Sequence, residues 1–255
     1  MHGTVSANPA PEEPKPGAPA VLHISQLSAG YGPMRVIHDL DLIVGAGQRI
    51  GLVGLNGHGK STLFYAIAGL TGWQRGSIKL NGKEVGRNRS QGPGRYTHLV
   101  VRSGLALIPQ GDEIFHGLSV EEHLDSGAFT AESWRDRANR KDRVLTIFPH
   151  LKTLLTVPVG RLSGGERRMV SIGRGLMTDA SLFLVDEPSL GLAPKIGRAV
   201  IDALMEIDLG NSAMVIAEQN VALLEGRVDR VIGMHVGKLT GEASAALSLS
   251  GKEKG

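Results

Sequence analysis

The chain contains no cysteine, few aromatic residues and no long hydrophobic run. The absence of cysteine excludes disulfide bonds, thiolate zinc sites and cysteine nucleophiles, and it is consistent with a reducing compartment. Aromatic residues make up only 4% of the 255 residues, so aliphatic side chains and glycine must fill the interior. No stretch approaches the roughly 18 apolar residues that a membrane-spanning helix needs. We therefore expect a cytoplasmic chain, and any role at a membrane requires a partner.

Charge gives little evidence for a polyanionic partner. The formal net charge is +3, which a solvated surface explains, and we predict no nucleic-acid partner. Residues 1–20 are rich in proline and alanine and are predicted to be a disordered tail, because they cannot offset the entropy lost on ordering. Residues 244–255 are predicted to be a loose tail. Residues 21–243 remain as the folded domain.

Strand patterns that alternate with helix patterns predict an α/β fold. VLHISQLSAGY and RVIHDLDLIV alternate apolar and polar residues, as half-buried strands do. Asn81 and Gly82 mark the turn of a further hairpin, and the basic residues 83–98 are expected to be exposed. The apolar segments QRIGLVG, GLALIPQ, SLFLVDE and SAMVIAE are separated by helical patterns. This order predicts a parallel sheet with helices on both faces.

The character of the sequence changes over residues 111–160. LSVEEHL and SWRDRANRKDRVLTIFPHL combine helical spacing with dense charge. Acidic residues stand early in the first of these segments, where the helix dipole favours anions. We predict a small helical subdomain inserted into the sheet domain. No internal repeat is evident, so the chain should carry one nucleotide domain and not two.

A glycine-rich segment after the QRIGLVG strand fits G-x-x-x-x-G-K-[ST], the phosphate loop. Its glycines let the backbone wrap phosphate oxygens, and the helix that starts inside it presents its positive end there. Lys60 would contact the β- and γ-phosphates, and the hydroxyl of Ser61 would ligate Mg²⁺. The alternative, a chance match, is disfavoured by the flanking strand and helix. The predicted ATP-binding residues are Gly54, Leu55, Asn56, Gly57, His58, Gly59, Lys60, Ser61 and Thr62.

Two carboxylates end the apolar segment SLFLVDEP. Asp186 stands where the strand ends, and this position beside a phosphate loop suits a magnesium ligand. Glu187, one residue further, would accept a proton from the attacking water or orient it. Alone, the pair could simply end a strand at the surface. Beside a phosphate loop, the catalytic interpretation is favoured.

A third motif, LSGGE at residues 162–166, places a serine and two glycines before a helix. In isolation this is a helix cap, or an anion site if a phosphate reaches it. A phosphate loop, then LSGGE, then a strand ending in Asp-Glu resembles the ATP-binding subunits of ABC transporters, over residues 21–241. The resemblance implies a P-loop NTPase (RecA-like) α/β fold: a parallel-sheet core with an N-terminal antiparallel β subdomain and an inserted helical subdomain. It also implies the cofactors ATP and Mg²⁺.

Further site residues are implied by this resemblance alone. Tyr31 matches the aromatic residue that stacks on adenine. Gln110 matches the glutamine that contacts Mg²⁺ and the attacking water. Gln219 lies where most members carry a histidine that senses the γ-phosphate, and we include it among the catalytic residues. Three residues match the signature that caps the γ-phosphate bound by the opposite subunit: Ser163, Gly164 and Gly165.

Gln219 departs from the common family pattern, and so does Leu192, where the dimer-contact loop usually has aspartate. DEPSLGLAP together with EQNV resembles one branch, the ATPase subunits of importers for branched-chain amino acids and their amide and urea relatives. We interpret both departures as markers of that branch. His58 is also unusual, because a small residue is commoner in that place, and we expect its side chain to point outward.

The resemblance implies a head-to-tail dimer, in which each ATP lies between the phosphate loop of one subunit and LSGGE of the other. The implied partners are transmembrane permease subunits, a second ATP-binding subunit and, indirectly, a solute-binding protein. A heterodimer is favoured over a homodimer, and the chain would lie on the inner face of the membrane. The alternatives are an ABC-type ATPase that works without a permease, a small-molecule kinase, and a regulatory subunit with low turnover.

Overall fold

The computed structural model describes residues 19–89, 97–111 and 113–242. Its strands are β1 (Ala20–Tyr31), β2 (Met34–Gly45), β3 (Arg49–Val53), β4 (Trp73–Leu80), β5 (Lys83–Arg89), β6 (Leu105–Ile108), β7 (Leu182–Asp186), β8 (Ala213–Glu218), β9 (Arg230–His235) and β10 (Lys238–Glu242). Its α-helices are α1 (Lys60–Ile67), α2 (Thr97–Arg102), α3 (Val120–Asp125), α4 (Ala131–Arg135), α5 (Arg137–Ile147), α6 (Gly164–Leu176) and α7 (Pro194–Met205). The two tails predicted from the sequence lie outside the described residues, except for residues 19 and 20.

The strands form two sheets. The first is antiparallel, with the order β2-β1-β4-β5, and its β4–β5 hairpin turns at Asn81 and Gly82, whose φ angles are 50° and 74°. Two positive φ angles are what a type I′ turn requires. The second sheet has the order β10-β9-β3-β8-β7-β6 and is parallel except for β10, which runs antiparallel to β9. The predicted α/β fold, with an antiparallel sheet near the amino terminus, is confirmed.

Alternate residues of the central strands face two cores. Leu182 and Leu184 of β7 pack with α1 and the antiparallel sheet, whereas Phe183 and Val185 pack with α6 and α7. Helix α1 therefore lies on one face of the six-stranded sheet, under the antiparallel sheet, and α6 and α7 cover the other face. The sheet is consequently buried on both sides, which explains why its strands are nearly continuous runs of apolar residues.

The region between β6 and α6 is helical, as predicted, but its helices are short. Helix α3 begins with a capping box of Ser119 and Glu122, and α4 begins with a similar one at Thr130. The segment SWRDRANRKDRVLTIFPHL is divided at Asp136, whose φ of −95° and ψ of 9° end α4 and start α5. After α5 the chain continues as a 3-10 helix, Pro149–Leu154. Among the described residues, no helix is long and apolar enough to cross a bilayer.

The exposure predicted for residues 83–98 is only partly correct. Lys83 and Glu84 are exposed, but Val85 and Gly86 are buried. The reason is that Lys83–Arg89 forms β5, an edge strand paired with β4, so its inward-facing residues join the core. Residues 90–96 lie outside the described part of the chain.

Candidate functional site

Most of the predicted site residues lie at one edge of the six-stranded sheet. Gly54 directly follows β3, Glu187 follows β7 and Gln219 follows β8, while Gln110 lies two residues beyond β6. Since these strands are parallel neighbours, their carboxyl ends meet at the same edge. Side chains that are distant in the sequence therefore come together there.

The phosphate loop, residues 54–62, is held closely against its neighbours. The backbone N–H of Gly54 donates to the carbonyl oxygen of Glu218 at 3.3 Å, and a Cβ atom at Gly54 would clash with the carbonyl oxygen of Met234. Gly57 and Gly59 have φ angles of 81° and 103°, which favour glycine. Helix α1 begins directly after Gly59, so its first backbone N–H groups face the loop.

Lys60, the first residue of α1, is only 3% exposed. Its Nζ donates to the carbonyl oxygens of Gly54 at 2.8 Å and Leu55 at 3.3 Å, and it forms an ion pair with Oε1 of Glu187 at 2.9 Å. Nε2 of Gln110 donates to the other carboxylate oxygen of Glu187 at 3.3 Å. The structure thus brings a cation, a carboxylate and an amide from three segments into one hydrogen-bonded group.

Glu187 occupies an unusual backbone conformation. Its φ is 43°, in the left-handed region, and its backbone N–H donates to the carbonyl oxygen of Ala217 in β8 at 2.9 Å. Such a conformation costs about 1–3 kcal/mol and persists where the surroundings enforce it. The carboxylate is buried as well. A solvated strand end therefore does not describe Asp186 and Glu187.

Asp186 is fully buried, and neither of its carboxylate oxygens has a hydrogen-bond partner within normal distance among the described residues. Burial raises the pKa of Asp186, the nearby hydroxyl of Ser61 lowers it, and the charge of Glu187 raises it. A buried carboxylate without partners is costly, and a cation would offset that cost. Carboxylate and hydroxyl oxygens are ligands that Mg²⁺ accepts, so Asp186 and Ser61 fit this ion.

Tyr31 belongs to the antiparallel sheet but lies beside the phosphate loop. It is the last residue of β1, and its side chain contacts that of Thr62, at the end of the loop. Partial burial raises the pKa of the Tyr31 phenol, and the hydrogen bond with Thr62 lowers it. Tyr31 is 37% exposed. The antiparallel sheet therefore contributes an exposed aromatic residue next to the loop.

LSGGE is separate from this group. Ser163 is exposed and is the N-cap of α6: its hydroxyl donates to Oε2 of Glu166 at 2.7 Å and accepts from the Glu166 backbone N–H at 3.4 Å. Gly164 and Gly165 form the first turn of α6, and a Cβ atom at Gly165 would lie 2.8 Å from Ile196 of α7. Among the described residues, no hydrogen bond joins Ser163 to the phosphate loop. Gln219 is exposed at the sheet edge.

Sequence reasoning missed two buried charged residues, Arg168 and Glu218. Glu218 ends β8, and its Oε1 accepts from the backbone N–H of Ser189 at 3.0 Å; burial raises its pKa and the hydrogen bonds from Ser189 lower it. The apolar segment SAMVIAE ends in an acidic residue as SLFLVDE does, and this similarity could have revealed Glu218.

Arg168 of α6 fastens the segments that follow β6 and β7. Its guanidinium is buried and donates to four carbonyl oxygens, those of Pro109, Gly111, Asp186 and Pro188. These residues flank Gln110 and Glu187. The start of α6 is therefore connected to the two segments that present the amide and the carboxylate.

Comparison with known proteins identifies the family. The ABC transporter family profile matches residues 37–190. The chain is 33% identical to BraG of Pseudomonas aeruginosa, a high-affinity branched-chain amino acid transport ATP-binding protein, over 90% of this chain and 95% of BraG. The chain is a member of the ABC transporter family. The resemblance recognised in the sequence is thus confirmed, and with it the prediction that the chain is an ATPase.

Two further relatives have similar sequence identity to this ABC ATPase. It is 34% identical to the probable branched-chain amino acid transport ATP-binding protein LivF of Archaeoglobus fulgidus, over 79% of this chain and 82% of LivF. It is also 34% identical to the lipopolysaccharide export system ATP-binding protein LptB of Escherichia coli, over 79% and 81%. Among solved structures, cbiO1 of Clostridium perfringens superposes with a TM-score of 0.74 at 22% identity, covering 91% of this chain and 92% of cbiO1, which supports the fold.

Proposed function

We propose that this ABC ATPase powers an importer of branched-chain amino acids, or of related small polar solutes such as amides or urea, through a separate permease. The observation that carries the catalytic part is the buried Glu187 carboxylate, which meets Lys60 of the phosphate loop and Gln110. The names of BraG and LivF support the substrate class. The exporter subunit LptB is as similar as LivF, at 34% identity over 79% of this chain, so the transport assay described below separates import from export.

ATP would bind with its phosphates in the loop at residues 54–62 and its adenine against Tyr31. Lys60 and the N–H groups at the start of α1 supply positive charge there. The phosphates compete with Glu187 for the ammonium of Lys60, so binding releases the carboxylate. Glu187 then accepts a proton from the attacking water, which Gln110 helps to orient. Gln219 would contact the γ-phosphate from the end of β8.

Mg²⁺ would be held by Asp186, Ser61 and Gln110. The ion, when bound, neutralises charge on the phosphate oxygens. Two observations support Asp186 and Ser61: the carboxylate oxygens of Asp186 have no hydrogen-bond partner among the described residues, and the hydroxyl of Ser61 lies close to them. Gln110 is included on the family resemblance alone.

The assembly proposed is a head-to-tail dimer on the inner face of the membrane. The exposed Ser163, with Gly164 and Gly165, would contact ATP bound by a second, related subunit, and a heterodimer is favoured over a homodimer. Residues 111–160 would act as a helical subdomain that contacts the permease, within an ATP-binding domain of residues 21–243. A solute-binding protein would take part indirectly, through the permease.

The substitution Glu187→Gln tests the catalytic role. The amide keeps the size of the side chain but cannot take a proton, so we expect turnover to fall by about 10²–10⁴-fold while ATP still binds. Calorimetry measures affinity, and phosphate release in the presence of the permease measures turnover. Turnover at the parent rate would mean that another group is the base. Phosphate release without a phosphorylated acceptor excludes the kinase alternative.

The transport role is tested by co-expressing this chain with candidate permeases for branched-chain amino acids. The two should co-purify, and phosphate release should rise when a binding protein loaded with leucine is added. If a binding protein loaded with urea or a short amide raised phosphate release and one loaded with leucine did not, the substrate would be an amide or urea and not a branched-chain amino acid. Failure of chain and permease to associate would favour the ATPase that works without a permease.

A further inference from the structure

The side chain of His58, inside the phosphate loop, is fixed by contacts with β9. Its Nδ1 lies 3.1 Å from the carbonyl oxygen of Met234. Because a carbonyl oxygen only accepts, Nδ1 carries the proton and donates it, which sets the tautomer of the ring. The ring of His235 meets it edge-on, with 4.6 Å between centroids and 87° between planes. The expected outward orientation is therefore wrong: the ring lies half-buried on the end of β9.

The main chain of His58 is held by the turn that joins β9 to β10. The backbone N–H of Gly237 donates to the carbonyl oxygen of His58 at 2.9 Å. The carbonyl oxygen of Gly237 in turn accepts from the backbone N–H of His38 in β2 at 3.0 Å. A Cβ atom at Gly237 would clash with the carbonyl oxygen of Val36. The turn is therefore packed between the phosphate loop and the antiparallel sheet.

The carbonyl oxygen of Met234 contacts both limbs of the phosphate loop, the first at Gly54 and the second at His58. In the sheet, Gly233 pairs with Val53, the last residue of β3, so Met234 lies just beyond the end of that strand. The first limb turns closely past this oxygen at Gly54, where any side chain would clash with it. The second limb returns to it through Nδ1 of His58. The oxygen is thus in contact with one limb and hydrogen-bonded to the other.

The β9–β10 turn is itself strained. Val236 has a φ of 43°, which is rare for a β-branched residue, and it is 59% exposed. Conformations of this kind persist where the surroundings enforce them, and they are concentrated at functional sites. Little of Val236 is buried, so the turn is held by the pairing of β9 with β10 and by the hydrogen bonds of Gly237 to His58 and His38.

We propose that His58 is a positioning residue that latches the phosphate loop to the β9–β10 turn, in the conformation that receives phosphate. The inference rests on the proposed function, since it requires that the loop bind ATP. A loop that is already ordered loses less conformational entropy on binding, so the latch raises affinity for ATP. The side-chain contacts of His58 go to Met234 and His235 of β9, and among the described residues no hydrogen bond joins its ring to Glu187 or Gln110. The latch therefore acts on binding and leaves the chemical step alone.

The substitution His58→Ala removes the donor. We expect the KM for ATP and the dissociation constant to rise about fivefold, equivalent to about 1 kcal/mol, with kcat almost unchanged, as loss of uniform binding produces. In His58→Asn the side-chain amide nitrogen stands close to the place of Nδ1, so this variant should recover most of the lost affinity. His98→Ala, which removes an exposed histidine of α2, is the matched control and should bind ATP as the parent does.

The outcomes separate the latch from a folding defect and from the proposed function. A folding defect would lower kcat with the active fraction and leave KM unchanged. An unchanged KM and dissociation constant in His58→Ala, or equal losses in the Ala and Asn variants, would overturn the latch. If the parent itself bound no ATP, the proposed function would fail. If the parent and His58→Ala bound ATP equally, only the latch would fail.

Discussion

At the scale of single residues, the site depends on buried polar groups that bind main-chain carbonyls. The guanidinium of Arg168 is the largest such group, with four carbonyl partners in the segments after β6 and β7. Its planar fork reaches acceptors in several directions, whereas the ammonium of a lysine is a compact charge on a flexible stem. Arg168 is therefore expected to fix the distance between the segments that carry Gln110 and Glu187.

The substitution Arg168→Lys should consequently affect catalysis more than binding. Lysine keeps the charge but cannot satisfy all four carbonyls, so we expect kcat to fall about tenfold or more through misplacement of the reacting groups. The free energy of unfolding should fall by about 1–3 kcal/mol because buried acceptors lose their donors. Steady-state kinetics and urea denaturation measure the two effects, with the exposed Arg198→Lys as control. A parent-like kcat in a destabilised Arg168→Lys variant would assign Arg168 to the fold alone.

Single residues were predictable from the sequence where the signal is local. Lys60, Asp186 and Glu187 each stand in a short motif next to a strand end, and the structure places all three at one sheet edge. Arg168 and Glu218 were missed because their partners come from other elements. An Arg-Arg pair in a charged helix looks like a solvated face, and the fold alone shows that one of the two is buried.

At the scale of elements, the strands with clear alternation or apolar runs were predictable, and the β9–β10 hairpin was not. Its turn uses Val236 at positive φ, where asparagine or glycine is the usual signal. The break between α4 and α5 was also hidden, because Asp136 stands among charged residues that all suit a helix surface. Both irregularities are maintained by tertiary contacts, which a local pattern does not contain.

Helix α3 carries a buried histidine that should make stability depend on pH. His123 is fully buried, its ring contacts that of Phe115 at 5.7 Å between centroids, and neither ring nitrogen has a hydrogen-bond partner among the described residues. Burial, and secondly the charge of Arg174, lower the pKa of His123 to about 4. The folded chain therefore holds this ring neutral over a pH range in which an unfolded chain would protonate it.

Stability should accordingly fall as the pH drops from about 6.5 toward 4. The folded pKa lies below the unfolded value, so the unfolded state binds the proton first and is stabilised relative to the folded state as the pH falls. The loss between pH 7 and pH 5 should be on the order of 2 kcal/mol from this group. Urea denaturation measures the free energy of unfolding at pH 7 and at pH 5. The difference between the two values should be smaller in His123→Leu than in the parent, and in His98→Ala it should equal that of the parent. Equal differences in all three would place the pH dependence elsewhere.

At the scale of the whole molecule, no hydrogen bond joins Ser163 of LSGGE to the phosphate loop among the described residues. Ser163 is exposed at the start of α6, and its hydroxyl is bonded to Glu166 of the same helix. An exposed helix start of this kind is available to a γ-phosphate that a second subunit would bring, as proposed above. The exposure of Ser163 and the membership of the ABC transporter family support the dimer proposed above.

Two matched substitutions test that dimer. Ser163 and Ser119 are both N-caps in capping boxes with a glutamate three residues later. Aspartate is also a good N-cap, so Ser163→Asp and Ser119→Asp should each keep their helix, with similar local cost. In Ser163→Asp the added charge would repel the γ-phosphate of the opposite subunit. Both variants are made in the Glu187→Gln background, and the second subunit is added if it is a different chain. Light scattering should then show an ATP-dependent dimer for Ser119→Asp and no such dimer for Ser163→Asp. An ATP-dependent dimer that formed equally with both variants would mean that LSGGE does not contact nucleotide across the interface.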